Sequence, residues 1–255
     1  MTLTLLVKGG RVINPAMQQD EICDILIENG KIKEVGANLT ADKAEEVFDA
    51  SGLVVAPGFI DMHVHLRQPG QSGKETIETG TQAAAAGGIT RVATMPNTKP
   101  VIDSAIVVDG LKYKIEHEAK VKVEIIGAIS KGQQGQELSA MGAMAKEGVV
   151  AFSDDGHYVE NSDFMRKAME YASMFHKIII DHCEDDNLIE GGNMHEGVVS
   201  NELGMKGRPA VAEDIAVARD IFLAEATGTP VHIAHISTKN AVDLVRQAKK
   251  RGVQV

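Results

Sequence analysis

The stretch Phe59-Ile60-Asp61-Met62-His63-Val64-His65-Leu66 opens a rhythm that runs to the last residue. It is apolar and strand-like, and Pro57-Gly58 sets it apart from what precedes it. Helix-like and strand-like segments then alternate. Residues 77–86 read as helix and 90–95 as strand, 103–119 as helix and 121–129 as strand, 136–146 as helix and 149–152 as strand. Residues 162–175 are helix-like and 177–181 strand-like. After a long irregular stretch, 211–227 read as helix, 230–236 as strand and 238–251 as helix, with Ser237 or Thr238 as its cap. Residues 253–255 look like the start of another strand. Alternation at this spacing predicts an α/β fold of parallel strands joined by crossover helices. Six βα units and the beginning of a seventh strand are legible.

Residues 1–52 follow a different pattern and are expected to form a small N-terminal β-domain, with the partial barrel spanning 53–255. Two hairpins are predicted there, one turning at Lys8-Gly9-Gly10-Arg11 and one at Glu28-Asn29-Gly30, because Gly-Gly and Asn-Gly supply positive φ. The 255 residues include 25 Gly, three Tyr, six Phe and no Trp, so the core is built from small and branched aliphatics. That suits α/β barrels and doubly wound sheets. The formal charge is −10, with no long Lys/Arg run, and a nucleic-acid partner is not expected. No apolar run approaches the ~18 residues of a membrane span. Met1 to Gly10 lacks a basic flank and a cleavage-like site, so no secretory signal is expected. With only Cys23 and Cys183, a disulfide framework is excluded and a reduced, cytoplasmic setting is the expectation.

The chemistry-bearing residues gather at strand ends. His63 and His65 are two apart on a strand, so they share a face, as a pair of zinc-type ligands or as hydrogen-bonded core histidines. The fourth strand closes on Phe152-Ser153-Asp154-Asp155-Gly156, the fifth on Asp181-His182, and the sixth on Val231-His232-Ile233-Ala234-His235. Strict alternation lets at most one of His232 and His235 look into a barrel. Metal-competent residues on four strands, at the end where barrels place their active sites, outweigh a packing explanation. Arg67 and Asn97 follow the first and second strands. A guanidinium there suits a substrate carboxylate, and an amide adds hydrogen-bonding capacity. Cys183 is expected to be a buried structural thiol, and His117, His157, His176 and His195 have no partner at matching spacing. The segment 191–209 is long for a βα loop, and its sequence does not say why.

These motifs resemble the amidohydrolase superfamily, metal-dependent hydrolases on TIM-like (β/α)8 barrels, and within it the class I dihydroorotase family. The resemblance rests on Pro57 to Gly70, Met95-Pro96-Asn97-Thr98, Ser153-Asp154-Asp155-Gly156, His182-Cys183-Glu184 and His232 to Thr238. It implies one or two Zn2+ ions held by His63, His65, His182 and His235, with Asp155 bridging and Asp154 as the fallback. It implies that Arg67 and Asn97 hold the substrate's carboxylate. The implied activity is reversible cyclisation of N-carbamoyl-L-aspartate to dihydroorotate in pyrimidine biosynthesis. The implied partners are the small-molecule substrate, an aspartate carbamoyltransferase and a second copy of the chain. A related cyclic amidase (allantoinase or dihydropyrimidinase) and a non-catalytic scaffold for a carbamoyltransferase are the alternatives. The family's general-base aspartate, at the end of an eighth strand, is expected beyond residue 255, so the chain is read as C-terminally truncated and inactive alone.

Overall fold

A computed structural model describes residues 4–40 and 44–255. Residues 1–3, part of the stretch read for a secretory signal, and residues 41–43 lie outside the described residues. The chain divides into two compact units, Met1–Phe59 and Ile60–Val255.

The first unit is a five-stranded sheet. Its strands are β1 (Thr4–Asn14), β2 (Gln19–Glu28), β3 (Lys31–Gly36), β4 (Glu46–Asp49) and β5 (Val54–Val55). Their order is β3-β2-β1-β4, with β5 also on β1. The hairpin at Asn29-Gly30 forms as expected, both residues having positive φ. The one at Gly9-Gly10 does not. β1 runs straight through it as a bulge, with the register shifting between Val7 and Gly10. Asp24 Oδ1 accepts from the Gly9 amide at 2.7 Å, and a Cβ on Gly10 would meet Val55 Cγ2 at 2.5 Å. The two glycines therefore serve a bulge and a close approach. The turn falls instead at Pro15–Met17, where proline starts a 3-10 turn.

The second unit alternates strand and helix. It begins with β6 (Phe59–Val64), α1 (Ile77–Ala86), β7 (Ile89–Thr94), α2 (Ala105–Glu118), β8 (Lys122–Gly127), α3 (Met141–Lys146) and β9 (Ala151–Ser153). It continues with α4 (Ser162–Ser173), β10 (Ile178–Asp181), α5 (Asp186–Ile189), β11 (Met194–His195), α6 (Val198–Glu202) and β12 (Gly207–Arg208). α7 (Val211–Thr227), β13 (Val231–Ile233) and α8 (Lys239–Lys250) complete it. Six strands form one sheet in the order β6-β7-β8-β9-β10-β13, and β7 through β13 pair in parallel. This is a partial (β/α) barrel of six units, as the alternation predicts.

Local chemistry sets the helix limits. Thr76 and Thr79 cap α1 reciprocally, and the Thr238 hydroxyl accepts from the Ala241 amide to start α8. α4 buries Met165, Ala168, Met169 and Ala172, one stripe at helical spacing, against a core that includes Phe152 and Ile179. The helix predicted from 136 begins only at Met141. Residues before it are committed elsewhere: Ser139 Oγ donates to the Ala128 carbonyl at 2.6 Å, and Ser130 bridges to Leu138. Serines bonding the backbone in this way compete with helix. Residues 253–255 form no strand. The Val253 amide returns to the Ala248 carbonyl at the end of α8, and only the Gln254 carbonyl takes a strand-like bond, from Val231 at 3.0 Å. No described helix is long and apolar enough to cross a membrane.

Candidate metal centre

Four strand ends converge on one carboxylate. Asp155, two residues past β9, is 3 % exposed. Its Oδ1 lies 3.3 Å from His235 Nε2, 3.4 Å from His63 Nε2 and 3.7 Å from His182 Nδ1, and its Oδ2 lies 3.5 Å from His65 Nε2. His182 Nδ1 and His235 Nε2 are 3.0 Å apart. The five side chains make two overlapping triads, His63–His65–Asp155 and Asp155–His182–His235, each with its ligand atoms within 4.8 Å of one another. Donors about 2.1 Å from a tetrahedral zinc stand about 3.4 Å apart. The spacings therefore fit a divalent cation in each triad, and imidazole with carboxylate is a donor set that zinc favours.

The electrostatics point the same way. Burial alone would raise the Asp155 carboxyl, but the imidazoles of His182, His235 and His63 outweigh it and hold it well below the usual carboxylate range. His235 is raised, chiefly by its bond to Asp155. His65 is lowered, chiefly by burial, with Asn97 acting against it. Neutral imidazole is the form that binds metal.

Neighbouring groups aim the ligands. Asn97 Oδ1 lies 2.9 Å from His65 Nδ1. An amide oxygen only accepts, so Nδ1 carries the proton and Nε2 presents its lone pair toward Asp155. Asp154 has a different task. Its buried carboxylate accepts from the Ile129 amide at 2.8 Å, from the Ser130 amide at 3.1 Å and from the Ser130 hydroxyl. It ties the end of β8 to the end of β9, and Asp155 alone reaches the imidazoles. The buried Gln133 amide donates to the Asp155 carbonyl at 3.2 Å, a support absent from the sequence reading.

The sixth strand is shorter than the alternation argument assumed, and of its two histidines His235 is the one that joins the ligand groups. β13 stops at Ile233, and His235 has φ +34°, so the two-residue period ends before it reaches His235. Burial first, then the charges of His63 and His235, lower His232. Glu213 secures the chain beyond His235, accepting from the Ser237 amide at 2.9 Å, the Ser237 hydroxyl at 2.6 Å and the Thr238 amide at 2.9 Å. Arg67 also has a left-handed φ, +61°. Two non-glycine residues in this region, each costing about 1–3 kcal/mol, mark a site held in place by its surroundings. The Arg67 guanidinium has no ion-pair partner among the described residues, and its charge bears on His65.

A second charged cluster lies behind β10. Asp181, Cys183 and Asp220 are buried together. Arg219 bonds Asp181 at 3.0 Å and Asp220 at 2.7 Å, with its guanidinium 4.3 Å from the centre of the Tyr158 ring. Cys183 Sγ donates to Asp220 at 3.3 Å. The signal for this cluster was an Arg-Asp pair among Ala216, Val217 and Ile221, the buried face of α7.

Comparisons with known proteins bear on the family and the fold. The model of the dihydro-orotase-like family matches residues 52–241. A dihydroorotase of Geobacter metallireducens is 53% identical over 99% of this chain and 60% of its own length. One of Pelotomaculum thermopropionicum is 54% identical over 99% of this chain and 59% of its own. The chain thus spans about 60% of the length of these curated relatives. Among solved structures, an L-hydantoinase (dihydropyrimidinase) from Arthrobacter aurescens superposes with a TM-score of 0.84 at 22% identity, over 100% of this chain and 57% of that one, a likeness of fold. A D-hydantoinase (dihydropyrimidinase) from Thermus sp. gives a TM-score of 0.78 at 28% identity, over 98% and 56%. With its histidine and aspartate strand ends gathered and the family model matched from the first barrel strand into α8, the chain belongs to the dihydro-orotase-like family.

Proposed function

We propose that this chain carries the metal centre of a zinc-dependent dihydroorotase, which interconverts N-carbamoyl-L-aspartate and dihydroorotate. The observation that carries the reading is the buried Asp155 carboxylate within 3.7 Å of four imidazoles from three other strand ends. Two zinc ions would be held, one by His63, His65 and Asp155 and one by Asp155, His182 and His235, with Asp155 shared. Such ions supply Lewis acidity toward an amide carbonyl and acidify water.

The chain's own residues do the rest. Arg67 pairs with the substrate's carboxylate, a role its unpaired guanidinium suits. Asn97 holds His65 in the ligating tautomer, and its N–H groups remain for the substrate. The resemblance to class I dihydroorotases implies that the proton transfer of ring closure falls to a further aspartate beyond residue 255.

Turnover of N-carbamoyl-L-aspartate by the full-length protein, lost on His63→Ala, tests this reading. Hydrolysis of hydantoin or allantoin, with no turnover of dihydroorotate, would replace it with a related cyclic amidase. The absence of a lysine at the end of β9 argues against the lysine-dependent cyclic amidases, and the presence of Arg67 favours an acidic substrate.

A further inference from the structure

The 191–209 segment has a role that its sequence conceals. It is a closed ribbon. β11 and β12 pair Met194 with Gly207 and His195 with Arg208, and the Glu196 amide donates to the Arg208 carbonyl at 2.9 Å. The approach is so close that a Cβ on Gly207 would stand 2.4 Å from Glu196 Cα, so only glycine fits. The ribbon carries Arg208 to Glu184. Arg208 Nε donates to the Gly192 carbonyl at 3.0 Å, which fixes its plane, and its Nη1 contacts both oxygens of Glu184, at 3.2 and 3.0 Å. Glu184 Oε2 in turn lies 3.6 Å from His182 Nε2. That is the ring nitrogen not turned toward Asp155 and His235, since Nδ1 faces those two.

We propose that Arg208 and Glu184 are positioning residues for the His182 ligand. Glu184 faces the Nε2–H of His182, which leaves Nδ1 with its lone pair for the metal and makes the imidazole a stronger donor. Arg208 keeps the carboxylate there. The proposal rests on the metal centre described above. It separates cleanly from a stabilising role, because Arg208 is 45% exposed and a surface ion pair contributes little to stability. It is also selective: Glu184 reaches the Asp155–His182–His235 triad and leaves His63–His65–Asp155 untouched.

The test uses the full-length protein, stripped of metal and reloaded with Co2+, with d–d absorption followed against a competing chelator. Wild type should release cobalt in two steps. Glu184→Gln should weaken one step by roughly 10- to 100-fold and leave the other unmoved. Arg208→Ala should shift the same step less, and Arg208→Lys should fall between Arg208→Ala and wild type. Thermal midpoints of all three should stay near wild type. Two steps unchanged in every variant would overturn the proposal, as would both steps weakening together. A wild type that binds no cobalt would overturn the metal centre itself, and this proposal with it.

Discussion

Two buried carboxylate clusters adjoin His182, one through its contact with Asp155 and one through its chain neighbours Asp181 and Cys183, and they differ in what surrounds them. At the barrel mouth, Asp155 is ringed by His63, His65, His182 and His235. Behind β10, Asp181 and Asp220 are paired with Arg219. Imidazoles carry lone pairs that a cation can accept, so the first cluster suits a metal ion. Arg219 is a permanent cation with no lone pair, so the second already contains one. Burial first, then Asp220, pushes the Asp181 carboxyl well above its ordinary value, with Arg219 acting against them. The first cluster offers five metal-type ligands in two triads and the second offers three, but only the second has a guanidinium among them. The lesson is that the counter-charge, more than the ligand count, separates a site from a strut.

The largest effect should come from removing the shared ligand. Asp155→Ala is expected to abolish both metal steps and lower turnover by at least about three orders of magnitude, measured by metal content and cyclisation assay. Normal turnover would remove Asp155 from the centre. Arg219→Met should do the reverse. It leaves two buried carboxylates without their cation, so denaturant unfolding should show a loss of about 3–5 kcal/mol, while the folded fraction binds its metal normally. Loss of metal without loss of stability would mean the two clusters had been assigned the wrong way round.

Smaller changes sharpen the picture at the mouth. Asn97→Ala frees the His65 tautomer and should loosen the His63–His65 metal by roughly 10- to 100-fold, the counterpart of the Glu184 effect on the other ion. Glu213 gives the smallest effect, through pH. Burial raises its carboxyl, but bonds from Ser237 and Thr238 outweigh it and the folded value is lowered. A lowered carboxylate stabilises the fold above its unfolded value and loses that contribution as pH falls through the folded one. Glu213→Gln should therefore be modestly less stable than wild type at pH 7, and the gap between the two should close as pH falls below about 4.5, measured by denaturant unfolding across that range.

The barrel was legible because its signals are local. Alternation of strand and helix, apolar stripes such as that of α4, and the Thr238 cap can all be read within a dozen residues. The ligands were legible because His-x-His, Asp-Asp-Gly and the later histidines fall at strand ends. The failures have physical causes too. At Gly9-Gly10, a bulge and a turn ask for the same residues, and only the approach of Val55 distinguishes them. At His235, the face could not be predicted because the strand ends two residues earlier and the backbone turns left-handed. The Asn97 bond to His65 and the path from Arg208 to His182 join residues 32 and 24 or more positions apart. No spacing rule reaches that far.

Anomalous diffraction at the zinc edge, from crystals of the full-length protein grown with zinc, puts the contrast between the clusters to its most direct trial. Peaks should appear among His63, His65, Asp155, His182 and His235, with none among Asp181, Cys183 and Asp220. An empty ring around Asp155, or a peak beside Asp181, would contradict the assignment.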